Sequence, residues 1–226
     1  MPTLPTTTLT NRTSRFSRRT SIVWVTFAFA MTAVIGLLAL GDDPRLGGYV
    51  ALNLGTLELD GRTAAPGDDP VFRIDQPLDT ERWAGIVIHH LGVPAGDAKS
   101  VHRQHVDLGY QGLGYHFLIG NGSGLGDGVV HIGYRWNSQL PGAHCIGPSA
   151  DWLNERTIGI CLIGNGDKRA FTPKQLRHLM ILVERLQRQL DIPADAVYLH
   201  SDVASVSSPG SLFPTGRLEQ HLINRR

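Results

Sequence analysis

Two adjacent histidines follow an apolar stretch in "IVIHHLG", residues Ile86–Gly92. Valine and isoleucine favour buried strands, so the sequence predicts that His89 and His90 lie at a strand end. A third histidine, His200, ends the strand-like stretch "VYLH". Histidine is a common metal ligand and the usual proton carrier near neutral pH. The residues alone therefore leave open whether these histidines form a metal centre or close off their strands with hydrogen bonds.

The stretches that must position these histidines alternate between strand and helix patterns from about Asp79 onward, which favours an α/β domain. Thr157–Asn165, "TIGICLIGN", is almost continuously apolar, as is typical of a central strand covered on both faces. The other predicted strands are Gly85–His89, Gly114–Gly120, the stretch "VVHIG" and Val197–His200. Together these elements predict a single mixed central β-sheet flanked by helices.

The clearest helix pattern is "FTPKQLRHLMILVERLQRQLDIP". Thr172 is a suitable N-cap, Pro173 fits the first helical position, and Gln175 completes a capping box. Apolar residues recur at helical spacing along one face. They are Leu176, Leu179, Met180, Val183, Leu186 and Leu190. Shorter helices are predicted at Ala98–Leu108 and Leu218–Ile223.

The first forty residues predict a membrane anchor. Residues 1–20 form a basic tail, and Ser21–Leu40 carries no charge. Twenty residues at ~1.5 Å rise span the ~30 Å hydrocarbon core of a bilayer. Because arginines precede this stretch and Asp42 and Asp43 follow it, the N-terminus is predicted to stay in the cytoplasm. The sequence thus predicts a single-pass membrane protein with residues 41–80 as a linker with a small β addition and residues 81–226 as an exported domain.

A cleaved signal peptide is the alternative to an anchor, with Ala39-Leu40-Gly41 as the cleavage site. Apolar regions of signal peptides usually run only about 7–15 residues, which favours an uncleaved anchor. Both readings place the rest of the chain outside the cytoplasm. In that oxidising environment Cys145 and Cys161 can form a disulfide, and the sequence does not decide whether they do.

Charge and motif spacing exclude several classes of function. The chain has a net charge of +1, and its N-terminal tail holds four arginines and no acid, which leaves about −3 on residues 41–226. Nucleic-acid binding rests on neutralising phosphates, so no nucleic-acid partner is expected. Ser123 in "GNGSGLG" does not fit the G-x-S-x-G spacing of a serine hydrolase. The Gly-rich turn "NGSGLGDG" precedes a strand, whereas a nucleotide-binding turn opens a helix.

A series of motifs runs in order from Trp83 to Leu222, and these are "VIHH", "GLGYHFLIG", "GYRW", "GAH", "TIGICLIGN", "TPKQL", "LHSDV" and "SPG". In this order they resemble the zinc amidases that cut N-acetylmuramoyl-L-alanine in peptidoglycan. That family includes the peptidoglycan recognition proteins and the phage lysozymes of the amidase type. The resemblance implies the amidase and recognition-protein fold, Zn²⁺ as cofactor, and peptidoglycan or muramyl peptide as partner.

The resemblance also implies roles for individual residues. Zinc ligands map to His89 and His200, and the third ligand position maps to Ser208. The family's tyrosine in "GYHF" maps to Tyr115, whose hydroxyl would orient a water or stabilise the oxyanion of the lactyl amide. One branch of the family carries a glutamate in the central strand. This chain has Cys161 there, as in the recognition-protein and phage-lysozyme branch.

Two residues in the loop after His200 depart from the pattern of active members. Ser208 stands where the family has a cysteine in a "CPG" turn, and a neutral hydroxyl is a poor zinc ligand. Val206 stands where some active members carry a lysine or threonine. The sequence therefore predicts zinc that is weakly held or absent, and it leaves two functions open: a muramyl-peptide amidase and a recognition protein that binds without cutting. Asp202 or Cys145 is the alternative source of a third ligand.

A groove for muramyl peptide is predicted near the "GYRW" turn and the end of the central strand. Aromatic faces with a few polar groups suit a glycopeptide. The predicted groove residues are Trp136, Arg135, Tyr134 and Asn165, and the alternative is that they are rim or core residues. The remaining histidines are predicted to make ordinary hydrogen bonds: His90, His102, His116, His131, His178 and His221. His105 and His144 are placed nearer the groove, without a role as ligands.

Overall fold

The structure, a computed structural model, describes residues 56–57 and 69–222, which belong to one compact unit of residues 53–226. The strands are β1 Thr56–Leu57, β2 Gly85–His90, β3 Phe117–Ile119, β4 Val130–Ile132, β5 Thr157–Leu162 and β6 Val197–Leu199. Within the described residues they form one sheet in the order β1-β4-β3-β5-β2-β6. The β3–β5, β5–β2 and β2–β6 pairs are parallel, and the β1–β4 and β3–β4 pairs are antiparallel. The predicted mixed sheet is confirmed.

The helices of the described residues are α1 Ala98–Asp107, α2 Tyr134–Asn137, α3 Ala150–Arg156, α4 Pro173–Leu190, α5 His200–Val203 and α6 Thr215–His221, with 3-10 turns at Pro70–Phe72 and Ala194–Ala196. The sequence predicted α1, α4 and α6 with boundaries within a few residues. It did not predict the short helices α2, α3 and α5, which are too short for a helical repeat of apolar residues to be visible.

The start of α4 follows the predicted capping box. Thr172 Oγ1 accepts a hydrogen bond from the Gln175 N–H at 3.0 Å, and Gln175 Oε1 accepts one from the Thr172 N–H at 3.1 Å. Pro173 occupies the first helical position. The predicted apolar face of α4 is buried in the largest core cluster. The helix therefore covers one face of the sheet.

The two faces of the sheet carry different chemistry. Side chains alternate along a strand. Ile86 and Ile88 of β2 therefore pack with the apolar face of α4 in the largest core cluster, which we call the α4 core. Val87 packs on the opposite face with Cys145 and Leu153. His89 follows the same alternation onto the face away from α4. β5 lies between β3 and β2 with all six residues buried, which confirms the predicted central strand. The candidate site lies on the face opposite α4.

The predicted basic tail and anchor, residues 1–20 and 21–40, lie outside the described residues, as does most of the predicted linker. The two-residue strand β1 falls within the alternating stretch "YVALNLGTLEL" and pairs with β4 at the edge of the sheet. Among residues 56–57 and 69–222, no helix is both long and apolar enough to cross a membrane.

Candidate metal centre and binding groove

The two histidines that the sequence places at strand ends lie side by side. His89 is near the end of β2, His200 directly follows β6, and the two strands are neighbours in parallel register. Parallel strands bring their carboxyl ends to the same edge of the sheet. The ring centroids of His89 and His200 are 4.2 Å apart. Both side chains are buried.

Tyr115, which the sequence predicts as a catalytic residue, lies next to His89. Their ring centroids are 5.3 Å apart, and the tyrosine is half-buried just before β3. Burial raises the pKa of the Tyr115 hydroxyl well above its usual range, and the neighbouring Cys161 thiol raises it further. The hydroxyl therefore stays protonated near neutral pH and is a hydrogen-bond donor.

Ser208 lies beside the predicted ligands with its hydroxyl already engaged. The His90 backbone N–H donates to Ser208 Oγ at 3.0 Å, and the Ser201 N–H donates to the Ser208 carbonyl at 2.7 Å. The side chain is buried. A neutral oxygen that accepts this hydrogen bond lacks the charge and softness of the thiolate that zinc prefers. Ser208 thus fixes the loop after α5 against the end of β2.

In an extended chain, Asp202 would share a face with His200 and could approach the metal site, but the chain is not extended here. His200–Val203 is a helical turn, and Asp202 Oδ2 accepts a hydrogen bond from the Leu199 N–H at 2.8 Å. The carboxylate is exposed and caps α5. The suggestion that Asp202 is the third ligand is therefore wrong, because two residues along a helix do not share a face.

His144 and Cys145 meet His89 in a cluster that the sequence did not predict as a unit. His89 Nε2 lies 3.0 Å from His144 Nδ1, and Cys145 Sγ lies 3.2 Å from the same nitrogen. One ligand atom from each of the three residues lies within 4.8 Å of the other two. We call His89, His144 and Cys145 the donor cluster. The sequence signal was the cysteine directly after "GAH".

Burial keeps the donor cluster neutral. It lowers the pKa of His144 to about 4, and burial followed by repulsion from His144 and His200 lowers that of His89 well below its usual range. The pKa of His200 is lowered too, by burial and by His90. Burial raises the pKa of the Cys145 thiol to about 12. Each imidazole therefore offers one lone pair near neutral pH, as metal binding requires.

The His144–Cys145 dipeptide is held in place by α3 and β5. Asn154 Oδ1 accepts the N–H groups of His144 and Cys145 at 2.8 and 2.9 Å, and Asn154 Nδ2 donates to the Cys145 carbonyl at 3.0 Å. Gly159 of β5 leaves the space that the imidazole fills, since a Cβ there would lie 2.5 Å from the His144 ring. Both cysteines are free thiols, so Cys145 and Cys161 are not paired.

Two of the predicted groove residues are structural, and their assignment to the groove is wrong. Trp136 has no exposed surface, because the α2 turn directs it into the α4 core, where its Nε1 donates to the Val71 carbonyl at 2.6 Å. Arg135 is also buried. Its Nε donates to the Leu113 carbonyl at 2.8 Å and its Nη1 donates to the Pro141 carbonyl. These bonds hold two loops together.

The other two predicted groove residues, Tyr134 and Asn165, are half-buried. The Tyr134 hydroxyl donates to the Gln111 carbonyl at 2.7 Å. Asn165 follows β5 and lines an open cavity of about 470 Å³. The cavity wall also carries the exposed cations Lys168 and Arg169 and the polar side chain of Asn121. It lies at the edge of the sheet where β2 and β5 end.

The remaining histidines mostly make the predicted hydrogen bonds. Ring nitrogens bonded to backbone groups occur in four of the histidines predicted to make such bonds, which are His90, His102, His116 and His178. His105, which was predicted to lie nearer the groove, makes one as well. His221 lies 3.6 Å from a carboxylate oxygen of Glu184. His131 departs from the prediction, because its buried Nε2 has no hydrogen-bond partner in the part of the chain that the structure describes.

Comparisons with known proteins agree with this architecture. Residues 79–211 match the family profile described as N-acetylmuramoyl-L-alanine amidase. Peptidoglycan-recognition protein SC2 of Drosophila simulans is 33% identical over 115 residues, which are 50% of this chain and 56% of that protein. The endolysin of Enterobacteria phage T3 is 28% identical over 116 residues, 49% of this chain and 68% of the endolysin. The chain thus matches little more than half the length of the recognition protein.

Solved structures with this fold include an endolysin N-acetylmuramoyl-L-alanine amidase, LysCS, from Clostridium intestinale. It aligns with a TM-score of 0.54 at 27% identity, over 66% of this chain and 90% of that one. The Drosophila peptidoglycan recognition protein SA aligns with a TM-score of 0.50 at 27% identity, over 64% of this chain and 84% of that one. Since the family profile covers more than half of the sequence, the chain belongs to the N-acetylmuramoyl-L-alanine amidase family.

Proposed function

We propose that this chain is an exported, membrane-anchored domain that binds the muramyl peptide of peptidoglycan and, when its zinc site is complete, hydrolyses the lactyl-L-alanine amide. The observation that carries the proposal is the pairing of His89 and His200, with ring centroids 4.2 Å apart at the ends of neighbouring strands and Tyr115 beside them. This arrangement supports the metal-dependent chemistry of the family.

The residues fit zinc in part. Buried His200 Nε2 has no hydrogen-bond partner among the described residues, and the low pKa of His89 leaves its imidazole neutral and able to donate a lone pair. Ser208 supplies no thiolate, so the family's ligand set is incomplete. Zinc bound by these residues would supply Lewis acidity for activating a water and polarising a carbonyl oxygen. The protein's task is to hold the substrate amide against that site.

The chain's own residues provide the remaining functions. Tyr115 keeps its hydroxyl proton and donates a hydrogen bond toward the substrate oxygen, which stabilises developing negative charge. Lys168 and Arg169 in the cavity wall attract the carboxylates of a stem peptide, and Asn121 offers polar contacts. His89 does not line the cavity, and both lie towards the carboxyl ends of β2 and β5. In the proposed complex, an extended glycopeptide contacts the cavity with its stem peptide and the histidines with its lactyl amide.

Recognition without cleavage is the second candidate function. It is favoured by Ser208, whose hydroxyl accepts a hydrogen bond from the His90 N–H, and by Val206, which offers no polar group to the substrate carbonyl. In this reading the groove binds muramyl peptide and the incomplete site leaves the amide intact. The two candidates share the ligand and differ in whether an L-alanine-headed peptide is released.

The experiment measures binding and release on the full chain in detergent. Soluble muramyl peptide is titrated by calorimetry in the presence of zinc, and released L-alanine-headed peptide is followed by mass spectrometry. We expect saturable binding that is weakened by Lys168→Ala and unaffected by His221→Ala on α6. Release that is lost in His89→Ala supports the amidase, and binding without release supports the recognition protein. Absence of saturable binding overturns both.

A further inference from the structure

Position 208 carries a serine where the family has a cysteine, and a different cysteine, Cys145, lies beside His89. We propose that the metal centre of this chain is built on the donor cluster, with Cys145 supplying the thiolate that Ser208 does not, and His144 and His89 supplying imidazole nitrogens. The inference rests on the proposed function for the identity of the metal, and it retains His89 of the proposed pair while His144 takes the ligand position of His200.

The distances in the donor cluster suit tetrahedral zinc. With Zn–N bonds of about 2.0–2.1 Å and a Zn–S bond of about 2.3 Å, neighbouring donor atoms lie roughly 3.3–3.6 Å apart. The cluster has 3.0 Å between His89 Nε2 and His144 Nδ1 and 3.2 Å between His144 Nδ1 and Cys145 Sγ. All three donors lie within 4.8 Å of one another. Small side-chain rotations bring them to coordination distance.

The hydrogen bonds of His144 aim its lone pair into the cluster. His144 Nε2 lies 3.2 Å from the Thr157 carbonyl oxygen, which accepts only, so Nε2 carries the hydrogen and Nδ1 is bare. Metal-ligating histidines almost always donate their second ring nitrogen to a carbonyl or carboxylate in this way. Without metal, the hydrogens of His89 Nε2 and of the Cys145 thiol are left to share this one lone pair.

Metal binding displaces the hydrogens from both donor atoms. The Cys145 S–H bond breaks, its electron pair forms the bond to Zn²⁺, and the proton leaves to solvent. The hydrogen on His89 Nε2 moves to Nδ1 of the same ring through water, so that Nε2 presents a lone pair and the imidazole stays neutral. Coordination by the donor cluster therefore releases one proton. Coordination by a neutral serine hydroxyl at position 208 would release none.

Two further features indicate a built site. The three hydrogen bonds of Asn154 fix the His144–Cys145 backbone, and Gly159 leaves room for the imidazole. Beside His89, the buried Nε2 of His200 has no hydrogen-bond partner within residues 69–222. An unpartnered buried nitrogen costs free energy, and the ring that carries it lies next to His89 of the donor cluster, with ring centroids 4.2 Å apart.

The test compares two buried cysteines. Zinc affinity is measured by competition with a chromophoric chelator for the wild type, Cys145→Ala and the matched control Cys161→Ala. Cobalt(II) replaces zinc as a spectroscopic probe for thiolate ligation. We expect Cys145→Ala to weaken zinc by more than the roughly 10- to 100-fold that loss of an outer hydrogen bond costs. It should also abolish the near-ultraviolet thiolate-to-cobalt band and the proton released on zinc binding. Cys161→Ala should retain all three.

A wild type that binds zinc without the thiolate band, or a Cys145→Ala variant with unchanged zinc affinity, overturns the inference. Far-ultraviolet circular dichroism shows whether Cys145→Ala is folded. If that variant does not fold, Cys145→Ser serves as the second variant, with the same expected losses of zinc affinity, thiolate band and released proton. Muramyl-peptide binding in calorimetry is scored separately. Binding that persists without the thiolate band rejects the donor cluster and leaves the proposed function standing.

Discussion

Ser208 makes two hydrogen bonds that fix the loop after α5. Its Oγ accepts the backbone N–H of His90, and its carbonyl accepts the N–H of Ser201. These contacts hold the loop against β2 and next to His200. A hydroxyl is sufficient for this structural role, whereas zinc ligation prefers a thiolate. We therefore expect the side chain at position 208 to contribute to stability and to contribute little to metal affinity.

The Ser208→Ala variant tests this division. Removing Oγ leaves the His90 N–H without its acceptor, so the free energy of unfolding should fall by about 1–3 kcal/mol. Zinc affinity should stay within a few-fold of the wild type. Denaturant titration and chelator competition measure the two quantities. A large loss of zinc affinity with unchanged stability would show that Ser208 ligates the metal.

Residue-level prediction from sequence succeeded where a residue's role follows from its own strand. His89 and His200 were placed at strand ends, and parallel pairing of β2 and β6 brings them together. It failed for Trp136, whose burial depends on contacts with Trp83 and Phe117, both distant in sequence. It also did not predict that His144 and Cys145 lie together beside His89. Their position depends on hydrogen bonds with Asn154, which form only when α3 folds against the loop that precedes it.

At the scale of elements, α4 and β5 differ in what a sequence can reveal. The capping box of Thr172, Pro173 and Gln175 is local, so the start of α4 was predicted to the residue. β5 was predicted as a central strand from its apolar run. The role of Gly159 in β5 was not predicted from the sequence. It depends on the folded structure, because the His144 ring occupies the space that a side chain at position 159 would fill.

Gly159→Ala tests the space that β5 provides. The added Cβ would lie 2.5 Å from the His144 ring, so the imidazole must move. We expect zinc affinity to fall by roughly 10- to 100-fold, the effect of losing ligand orientation. Overpacking should lower the free energy of unfolding by about 1–3 kcal/mol. Gly216→Ala on α6 is the matched control, since its Cβ meets nothing within 4 Å. Equal zinc affinity in both variants would contradict the role given to Gly159.

The strand β4 carries a buried histidine that links stability to pH. Burial lowers the pKa of His131 from 6.5 to about 4. Between these values the unfolded chain binds a proton that the folded chain does not, so stability falls as the pH falls from 6.5 towards 4. At about 1.36 kcal/mol per pKa unit, this one residue accounts for up to about 3 kcal/mol.

In His131→Leu that part of the pH dependence should disappear. The variant should also be at least as stable as the wild type at pH 7, because leucine leaves no buried nitrogen unpaired. The measurement is the free energy of unfolding by urea titration at pH 7 and at pH 4.5, with chelator present throughout. Parallel pH profiles for the variant and the wild type would show that His131 is not the source.

At the scale of the whole molecule, the sequence divides into a basic tail, an uncharged stretch and a mildly acidic domain. The order of these parts predicts a single-pass anchor with its domain outside the cytoplasm. The full-length chain should therefore remain in the membrane fraction, and protease added outside should remove the C-terminal domain. N-terminal sequencing of the native protein distinguishes an uncleaved anchor from a cleaved signal peptide. A chain that begins near Asp42 would show that Ser21–Leu40 is a cleaved signal.

The last prediction concerns how much of the folded state depends on the metal. The α4 core contains Ile86, Ile88, Ile158 and Ile160 with no exposed surface, on the face of the sheet away from the donor cluster. Hydrophobic burial of that extent provides a driving force for folding that a metal ion does not supply. Small zinc domains differ, because they lack such a core and zinc binding is their folding energy.

Thermal unfolding with and without chelator separates these cases. We expect the wild type to keep a cooperative transition in chelator, at a lower midpoint. Zinc at about 100 times its Kd should add about 2.7 kcal/mol by linkage, because it binds the folded chain. Cys145→Ala should lose most of this zinc-dependent shift, since it lacks the thiolate, while retaining the transition itself. A transition that disappears in chelator would mean that the donor cluster, and not the α4 core, determines whether the domain folds.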